Sequence, residues 1–310
     1  MKIFVYTSLE QPLRESLRQQ VPSTFEVVFH NEMPPAESQR EFQSSYIIMG
    51  NPPVDWFNEP PVALAFWQLD SAGFDQYRSV KPGIPVSNMG DFFSRPCAET
   101  IVGGILTFYR HIHELVLLQA KKKWVGKSIR FKLDLLGDKK VIILGAGTIG
   151  QAVKQMLTGF GSVVRISARK NPVADFHSRE ELMNALPETD LVVNTLPGTA
   201  EKFVNAQFFE TMKTGSLYAS IGRGNTTDEQ ALVNSLKAGK LAGAMLDVTP
   251  MVPLPADSVL WAMKNVILTQ HSGGGQMKED EGKVKQFIAN LNRFLNKEKI
   301  KDLVDLSRGY

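Results

Sequence analysis

The fold class this sequence predicts is α/β with parallel sheets, divided into two domains. Three observations predict it. Short apolar runs alternate with stretches of helical period. Turn-rich pieces such as Gly50-Asn51-Pro52-Pro53 and Lys81-Pro82-Gly83 punctuate the runs. A second series of the same kind then begins in mid-chain, at a glycine-rich turn. The 310 residues are enough for two sizeable cores. With 43% hydrophobic and 22% charged residues, the composition is that of a folded globular chain rather than a disordered one.

Taken in order, residues 2–6, 25–29, 46–49, 62–67 and 84–87 predict strands, and residues 12–20 predict a helix between the first two. A long helical pattern starts near Arg95-Pro96, with Pro96 suited to a first turn, and continues to about Lys122. Its length suits a domain connector. His111 and His113 lie on it two residues apart, which points them to different faces and argues against a shared metal. Further strands are predicted at 141–144, 163–167, 191–194, 216–221, 242–247 and 266–269, with helical stretches between them and a last helix over 277–295. The natural division is a first domain of residues 1–95, completed by 276–310, and a second domain of 96–275.

The net charge of +3 and the scattered basic residues give no reason to expect a nucleic-acid partner. Lys121-Lys122-Lys123 follows the long helical pattern and reads as a solvated helix C-terminus, its cations complementing the dipole. Cys97 is the single cysteine, so no disulfide can form within the chain, and the count suits a reducing compartment. The opening segment turns polar too quickly for a signal sequence, and no apolar run reaches the length of a membrane helix. The expectation is a soluble, cytoplasmic protein.

Val141-Ile142-Ile143-Leu144 runs into Gly145-Ala146-Gly147-Thr148-Ile149-Gly150, and a helical stretch over 151–158 follows. A glycine pattern alone is weak, but a strand before it and a helix after it form the context of a dinucleotide-binding turn. Gly145 permits the tight turn, Gly147 lets backbone approach a pyrophosphate, and Gly150 lets helix and strand pack closely. The helix N-terminus then receives the phosphates. After the second strand of this series, an acidic residue would hold the ribose 2′-hydroxyl of NAD. The sequence there is Arg165-Ile166-Ser167-Ala168-Arg169-Lys170, without an acid. Arg169 and Lys170 suit a 2′-phosphate, with Ser167 as a hydrogen-bond donor. NADP(H) is therefore the preferred cofactor, and NAD(H) stays open.

Further stretches extend the pattern: Ser71-Ala72-Gly73, Ala98-Glu99-Thr100, Leu196-Pro197 and Ile221-Gly222-Arg223-Gly224. Leu246-Asp247-Val248, Thr269-Gln270-His271-Ser272-Gly273-Gly274, Val304-Asp305 and the terminal Arg308-Gly309-Tyr310 complete it. Together with the glycine turn, these resemble the D-2-hydroxyacid dehydrogenase family, particularly its glyoxylate/hydroxypyruvate reductase-like members, over nearly the whole chain. The resemblance implies two doubly wound domains: a Rossmann dinucleotide-binding domain and a discontinuous, flavodoxin-like substrate domain, with a cleft between them. It also implies a homodimer joined through the nucleotide domains, with the long helix involved. The cofactor is implied to lie against Gly145, Gly147, Thr148, Ile149 and Gly150, against Ser167, Arg169 and Lys170, against Leu196, Pro197, Ile221 and Gly222, and against Asp247 and Gly274.

The implied chemistry is reduction of a small 2-keto acid to a D-2-hydroxy acid. Arg223 would grip the substrate carboxylate and polarise the adjacent carbonyl. The backbone amides around Ala72 and Gly73 would bind the same carboxylate, and His271 would donate the proton. Asp247 would hold the nicotinamide carboxamide, although a loop or capping aspartate explains the residue equally well on sequence. One residue of the family pattern is missing. The glutamate expected five residues after the aspartate, as partner to the histidine, is Val252, and the residue before His271 is Gln270 rather than proline. His271 therefore lacks the anion that stabilises imidazolium. Two readings stand: a keto-acid reductase with weakened acid–base catalysis, favoured by the retained Arg223 and His271, and a non-catalytic, redox-sensing dinucleotide binder, favoured by Val252.

Overall fold

The computed structural model describes residues 1–309. They form two compact units, Met1–Phe92 together with the segment from Gln276 onward, and Phe93–Gly275. Tyr310, the last residue of the terminal match, lies outside the described residues.

The first unit opens with β1 (Lys2–Val5), α1 (Gln11–Gln20), β2 (Glu26–Phe29), α2 (Pro35–Gln43), β3 (Ile47–Met49), β4 (Phe66–Gln68) and β5 (Val86–Ser87). Its strands pair in parallel in the order β2-β1-β3-β4-β5, a flavodoxin-like winding. Side chains alternate across the pleat. Ile3, Val5, Ile47 and Met49 enter one core, while Phe4 and Ile48 enter the other. Burial on both faces explains why these strands read as continuous apolar runs. The run at 62–67 yields a strand only from Phe66, because Leu64 N closes a turn on Pro61 O at 3.1 Å and leaves Val62 fully exposed. The run at 84–87 is likewise paired only from Val86.

The second unit contains α3 (Ser94–Tyr109), α4 (Ile112–Ala120), α5 (Lys127–Arg130), β6 (Lys140–Leu144), α6 (Thr148–Gly159), β7 (Val163–Ser167), α7 (Arg179–Ala185) and β8 (Leu191–Asn194). It continues with α8 (Ala206–Thr211), β9 (Ser216–Ser220), α9 (Glu229–Lys237), β10 (Leu241–Leu246) and β11 (Val266–Leu268). The six strands are parallel, in the order β11-β10-β9-β8-β6-β7. Winding changes direction between β6 and β8, and such a switch point is where open α/β sheets hold ligands, outside the C-terminal strand ends. After the second unit, α10 (Glu279–Leu295) returns to the first and buries Val284, Phe287 and Leu291 in the same core as Ile3 and Val5. Its first turn carries Glu279, Asp280 and Glu281, which complement the helix dipole.

The helical pattern predicted to run unbroken to Lys122 is two helices. His111 adopts a left-handed conformation (φ 49), and α4 leaves α3 at 72°. The apolar period persists through the break, so the sequence does not announce it. What changes is the surface that the period faces: α3 packs Ile101, Ile105 and Phe108 into the core, whereas Val116 and Leu117 of α4 stand exposed. The bend also corrects the expectation for the histidines. His111 lies outside the helical turn, and its ring stacks on that of His113 with 5.9 Å between centroids. No single helix among the described residues is long and apolar enough to cross a membrane.

Candidate active site

The glycine turn sits at the switch point of the second sheet. Gly145 has φ +104, and a Cβ on it would lie 2.8 Å from Thr195 Oγ1, while one on Gly150 would lie 2.3 Å from Gly145 O. Conformation and packing explain those two glycines. They do not explain Gly147, whose Cβ would meet nothing within 4 Å. The open space in front of Gly147 faces the first turn of α6, where Thr148, Ile149 and Gly150 have no side-chain cap for their amides. A bare helix N-terminus behind a residue that lacks a side chain for no internal reason suits a pyrophosphate.

At the end of β7, Gly145 N donates to Ser167 O at 2.9 Å, and Asn171 Nδ2 donates to Ala146 O at 3.2 Å. These bonds fasten the Ser167–Asn171 loop to the glycine turn. Arg169 and Lys170 on this loop are exposed and pair with no acid among the described residues. Two free cations are thereby held beside the turn.

Arg223 follows β9 in a segment pressed between two neighbouring backbones. A Cβ on Gly222 would lie 2.4 Å from Leu196 O, and one on Gly224 would lie 1.9 Å from Thr249 O. Behind Arg223, Thr226 Oγ1 donates to Arg223 O at 2.6 Å. Asn194, fully buried at the end of β8, donates through Nδ2 to Thr226 Oγ1 and to Tyr218 Oη, both at 2.8 Å, and its Oδ1 accepts from Leu196 N at 3.0 Å. Asn194, Thr226 and Tyr218 were not singled out from sequence. The one signal was an asparagine closing an otherwise apolar strand.

His271 lies on a turn that Asp247 holds. Oδ1 of the buried Asp247 accepts from Thr269 Oγ1 at 2.6 Å, from Ser272 N at 3.1 Å and from Gly273 N at 3.0 Å. Asp247 O accepts from His271 N at 2.7 Å. Gln270 and His271 both adopt left-handed conformations, φ 56 and 55, which non-glycine residues hold only where their surroundings impose it. The loop role of Asp247 is therefore visible in its bonds. The His271 ring is exposed and has no hydrogen-bond or ionic partner among the described residues. A pocket of about 200 Å³ opens beside it, and Val252 forms part of the wall. Cys97 is no candidate nucleophile, since its thiol is pushed up to about 11, chiefly by burial, with Asp247 adding to the shift and Arg223 opposing it.

Of the remaining expected cofactor residues, Leu196 and Pro197 follow β8, Ile221 and Gly222 follow β9, and Gly274 follows the His271 turn. The C-terminal ends of β6, β8, β9, β10 and β11 thus carry all the expected residues of the second unit outside the β7 loop. In the first unit, the loop after β4 turns its carbonyls inward. Ser71 O accepts from Met89 N at 3.1 Å, Ala72 O from Asn88 Nδ2 at 2.6 Å, and Gly73 O from Ser71 Oγ at 2.7 Å. The amides of Ala72 and Gly73 donate to no acceptor among the described residues. Next to this loop, burial raises the pKa of Asp70, whose carboxylate accepts from Thr7 Oγ1 at 2.9 Å.

The Asp247 bonds make a specific prediction. Asp247→Ala should speed hydrogen exchange at the Ser272 and Gly273 amides by about tenfold or more, because a hydrogen bond to a charged acceptor contributes ~1.5–3 kcal/mol. Asp247→Asn keeps an acceptor oxygen and should retain most of the protection. Unchanged exchange in the alanine variant would show that the turn supports itself.

Residues 102–273 match the family model for the D-isomer specific 2-hydroxyacid dehydrogenase, NAD binding domain. A glyoxylate reductase from Thermococcus gammatolerans is 32% identical over 235 residues, covering 72% of this chain and 70% of that one. A glyoxylate/hydroxypyruvate reductase A from Yersinia enterocolitica is 30% identical over 236 residues, covering 74% and 73%. Among solved structures, the NADPH-dependent glyoxylate/hydroxypyruvate reductase of Sinorhizobium meliloti, in complex with NADP and sulfate, shares the fold with a TM-score of 0.84 at 22% identity. That match covers 100% of this chain and 99% of the other. This chain belongs to the D-isomer specific 2-hydroxyacid dehydrogenase family of NAD(P)-dependent oxidoreductases.

Proposed function

We propose that the protein is an NADPH-dependent reductase of small 2-keto acids of the glyoxylate or hydroxypyruvate type, yielding D-2-hydroxy acids. The observation that carries this reading is the placing of Arg223 and His271 at the C-terminal ends of β9 and β11, the two strands that flank β10. Arg223 follows β9 and packs through Gly224 on Thr249, after β10, while His271 follows β11 and is held by Asp247, also after β10. The names of the similar reductases support the substrate class.

Bound NADPH supplies the hydride. Gly147 and the bare first turn of α6 suit its pyrophosphate, while Ser167, Arg169 and Lys170 suit a 2′-phosphate. Arg223 holds the substrate carboxylate and draws electron density from the carbonyl. His271 passes a proton to the alkoxide oxygen. The free amides of Ala72 and Gly73 offer donors for a carboxylate as well. The competing reading, a non-catalytic dinucleotide binder, draws support from the unpartnered His271 ring. It predicts NADPH binding with no oxidation of NADPH by any 2-keto acid in a panel.

Apolar residues on and beyond α4 support a homodimer. Val116 and Leu117 are more than half exposed, and Trp124 and Phe131 are almost fully so. Light scattering should report a dimer mass, and Leu117→Glu should lower it. A monomeric parent protein would remove this part of the proposal.

Cofactor choice has a direct test. NADPH should bind more tightly than NADH, and Arg169→Ala should weaken NADPH by about 1–3 kcal/mol, the scale of a charge-assisted contact, while leaving NADH nearly unchanged. Equal affinities of the parent protein for the two, read by titration, would overturn the assignment.

Arg223→Lys keeps the charge but loses the planar fork that matches a carboxylate. The variant should lose most keto-acid turnover while binding NADPH normally. Undiminished turnover would show that the anchor lies elsewhere.

A further inference from the structure

His271 and Asp247 apart, the walls of the pocket beside His271 are given no use by the reaction just proposed. The pocket lies wholly within the second unit, holds about 200 Å³, and is walled largely by Val252, Pro253, Leu254, Trp261 and Leu268. Trp261 donates its indole N–H to Pro255 O at 2.9 Å, so its polar edge is tied off. Asp247, whose Oδ1 is taken up by the His271 turn, is the one acidic residue of the lining, and, His271 apart, there is no basic residue. An apolar group fits these walls, since Val252, Pro253, Leu254, Trp261 and Leu268 make most of them. A glyoxylate-sized keto acid has no such group. The pocket adjoins His271, which in the proposed site faces the heteroatom of the reacting double bond, so a substituent on that heteroatom is placed to enter it. A ketone oxygen carries no substituent, but an imine nitrogen does.

We infer that the protein reduces N-substituted 2-iminium acids, the condensation products of a 2-keto acid and a primary amine, with the N-substituent seated in this pocket. The inference rests on the placing of Arg223 and His271 in the proposed keto-acid site. Val252 points the same way through the chemistry of the two reactions. Hydride addition to a ketone creates an alkoxide, which must be protonated as it forms, and that step calls for an acid kept charged by a carboxylate partner. Hydride addition to an iminium carbon needs no such acid. The C=N π pair becomes a lone pair on nitrogen, NADPH becomes NADP⁺, and the neutral amine product takes its proton from water. A neutral His271 ring can accept the iminium N–H, and Arg223 holds the carboxylate of either substrate. Replacing the acid's partner by an apolar wall therefore removes what the ketone needs and leaves what the iminium needs.

The test uses the unmodified protein with NADPH and pyruvate, with and without methylamine, at mildly alkaline pH where the imine forms. Methylamine should raise NADPH consumption by about a hundredfold, the lower range of what a positioned general acid supplies, with N-methylalanine as the product by mass spectrometry. Butylamine should lower the apparent KM about tenfold further, since its extra methylenes enter the apolar pocket. Val252→Glu should shift preference back, cutting the imine-to-ketone ratio at least about tenfold. If that variant fails to fold, the amine series in the parent protein still decides. Turnover of pyruvate or glyoxylate that no amine accelerates would overturn this inference and leave keto-acid reduction standing. A branched apolar 2-keto acid reduced as fast as the imine would assign the pocket to the substrate's carbon side chain and also overturn it. Normal NADPH binding with no turnover of ketone or imine would overturn both.

Discussion

The geometry of the candidate site depends on one buried carboxylate. Asp247 Oδ1 collects three donors from the turn after β11, and its carbonyl takes a fourth from His271 N. A carboxylate removed from water is costly unless donors replace its hydration, and these donors do so while fixing the turn. The energy that solvates the charge is thus the same energy that holds two successive left-handed residues in place. His271 is positioned by the strand ends beneath it, with no contact to its ring required.

Arg223 is positioned by a different device. Glycines on either side of it let three loops approach until no side chain would fit between them. A neutral network of Asn194, Tyr218 and Thr226 then ties the carbonyl of Arg223 to the end of β8. The network is fully buried, so each polar group in it must be satisfied by another, and the set has little freedom to adopt a second arrangement. A charged anchor at one strand end and a neutral one at another place His271 and Arg223 from one sheet.

The sequence made the second unit legible where local chemistry and fold coincide. The strand before Gly145, the glycine spacing and the helix after it are all required by a single turn, so the pattern could be read from six residues. The parallel strands were equally readable, because burial on both faces forces continuous apolar runs. The break at His111 was hidden, since α4 keeps the apolar period of α3 while exposing it. The strand edges at Val62 and Ile84 were overextended because hydrophobicity does not report pairing. The Asn194 network and the Asp247 turn stayed out of reach for another reason. Both join residues from different strands, and such contacts depend on strand order, which no local window contains.

The two halves of the proposed chemistry differ in how many residues they rest on. The features suited to the dinucleotide are largely backbone: an unhindered Gly147, bare amides at α6, and glycines that admit close loop packing. Proton delivery, by contrast, rests on one imidazole and on whatever charge stands next to it. Val252 occupies the wall beside that imidazole and is itself about half exposed, so a side chain there is free to vary without disturbing the core. On the proposed chemistry, a single substitution at such a position would alter which double bond is reduced while leaving the proposed hydride source, the proposed carboxylate anchor and the sheet untouched. In the proposed chemistry, the choice between carbon–oxygen and carbon–nitrogen bonds would fall to the surface-accessible Val252, whereas the features suited to the hydride donor lie largely in the backbone.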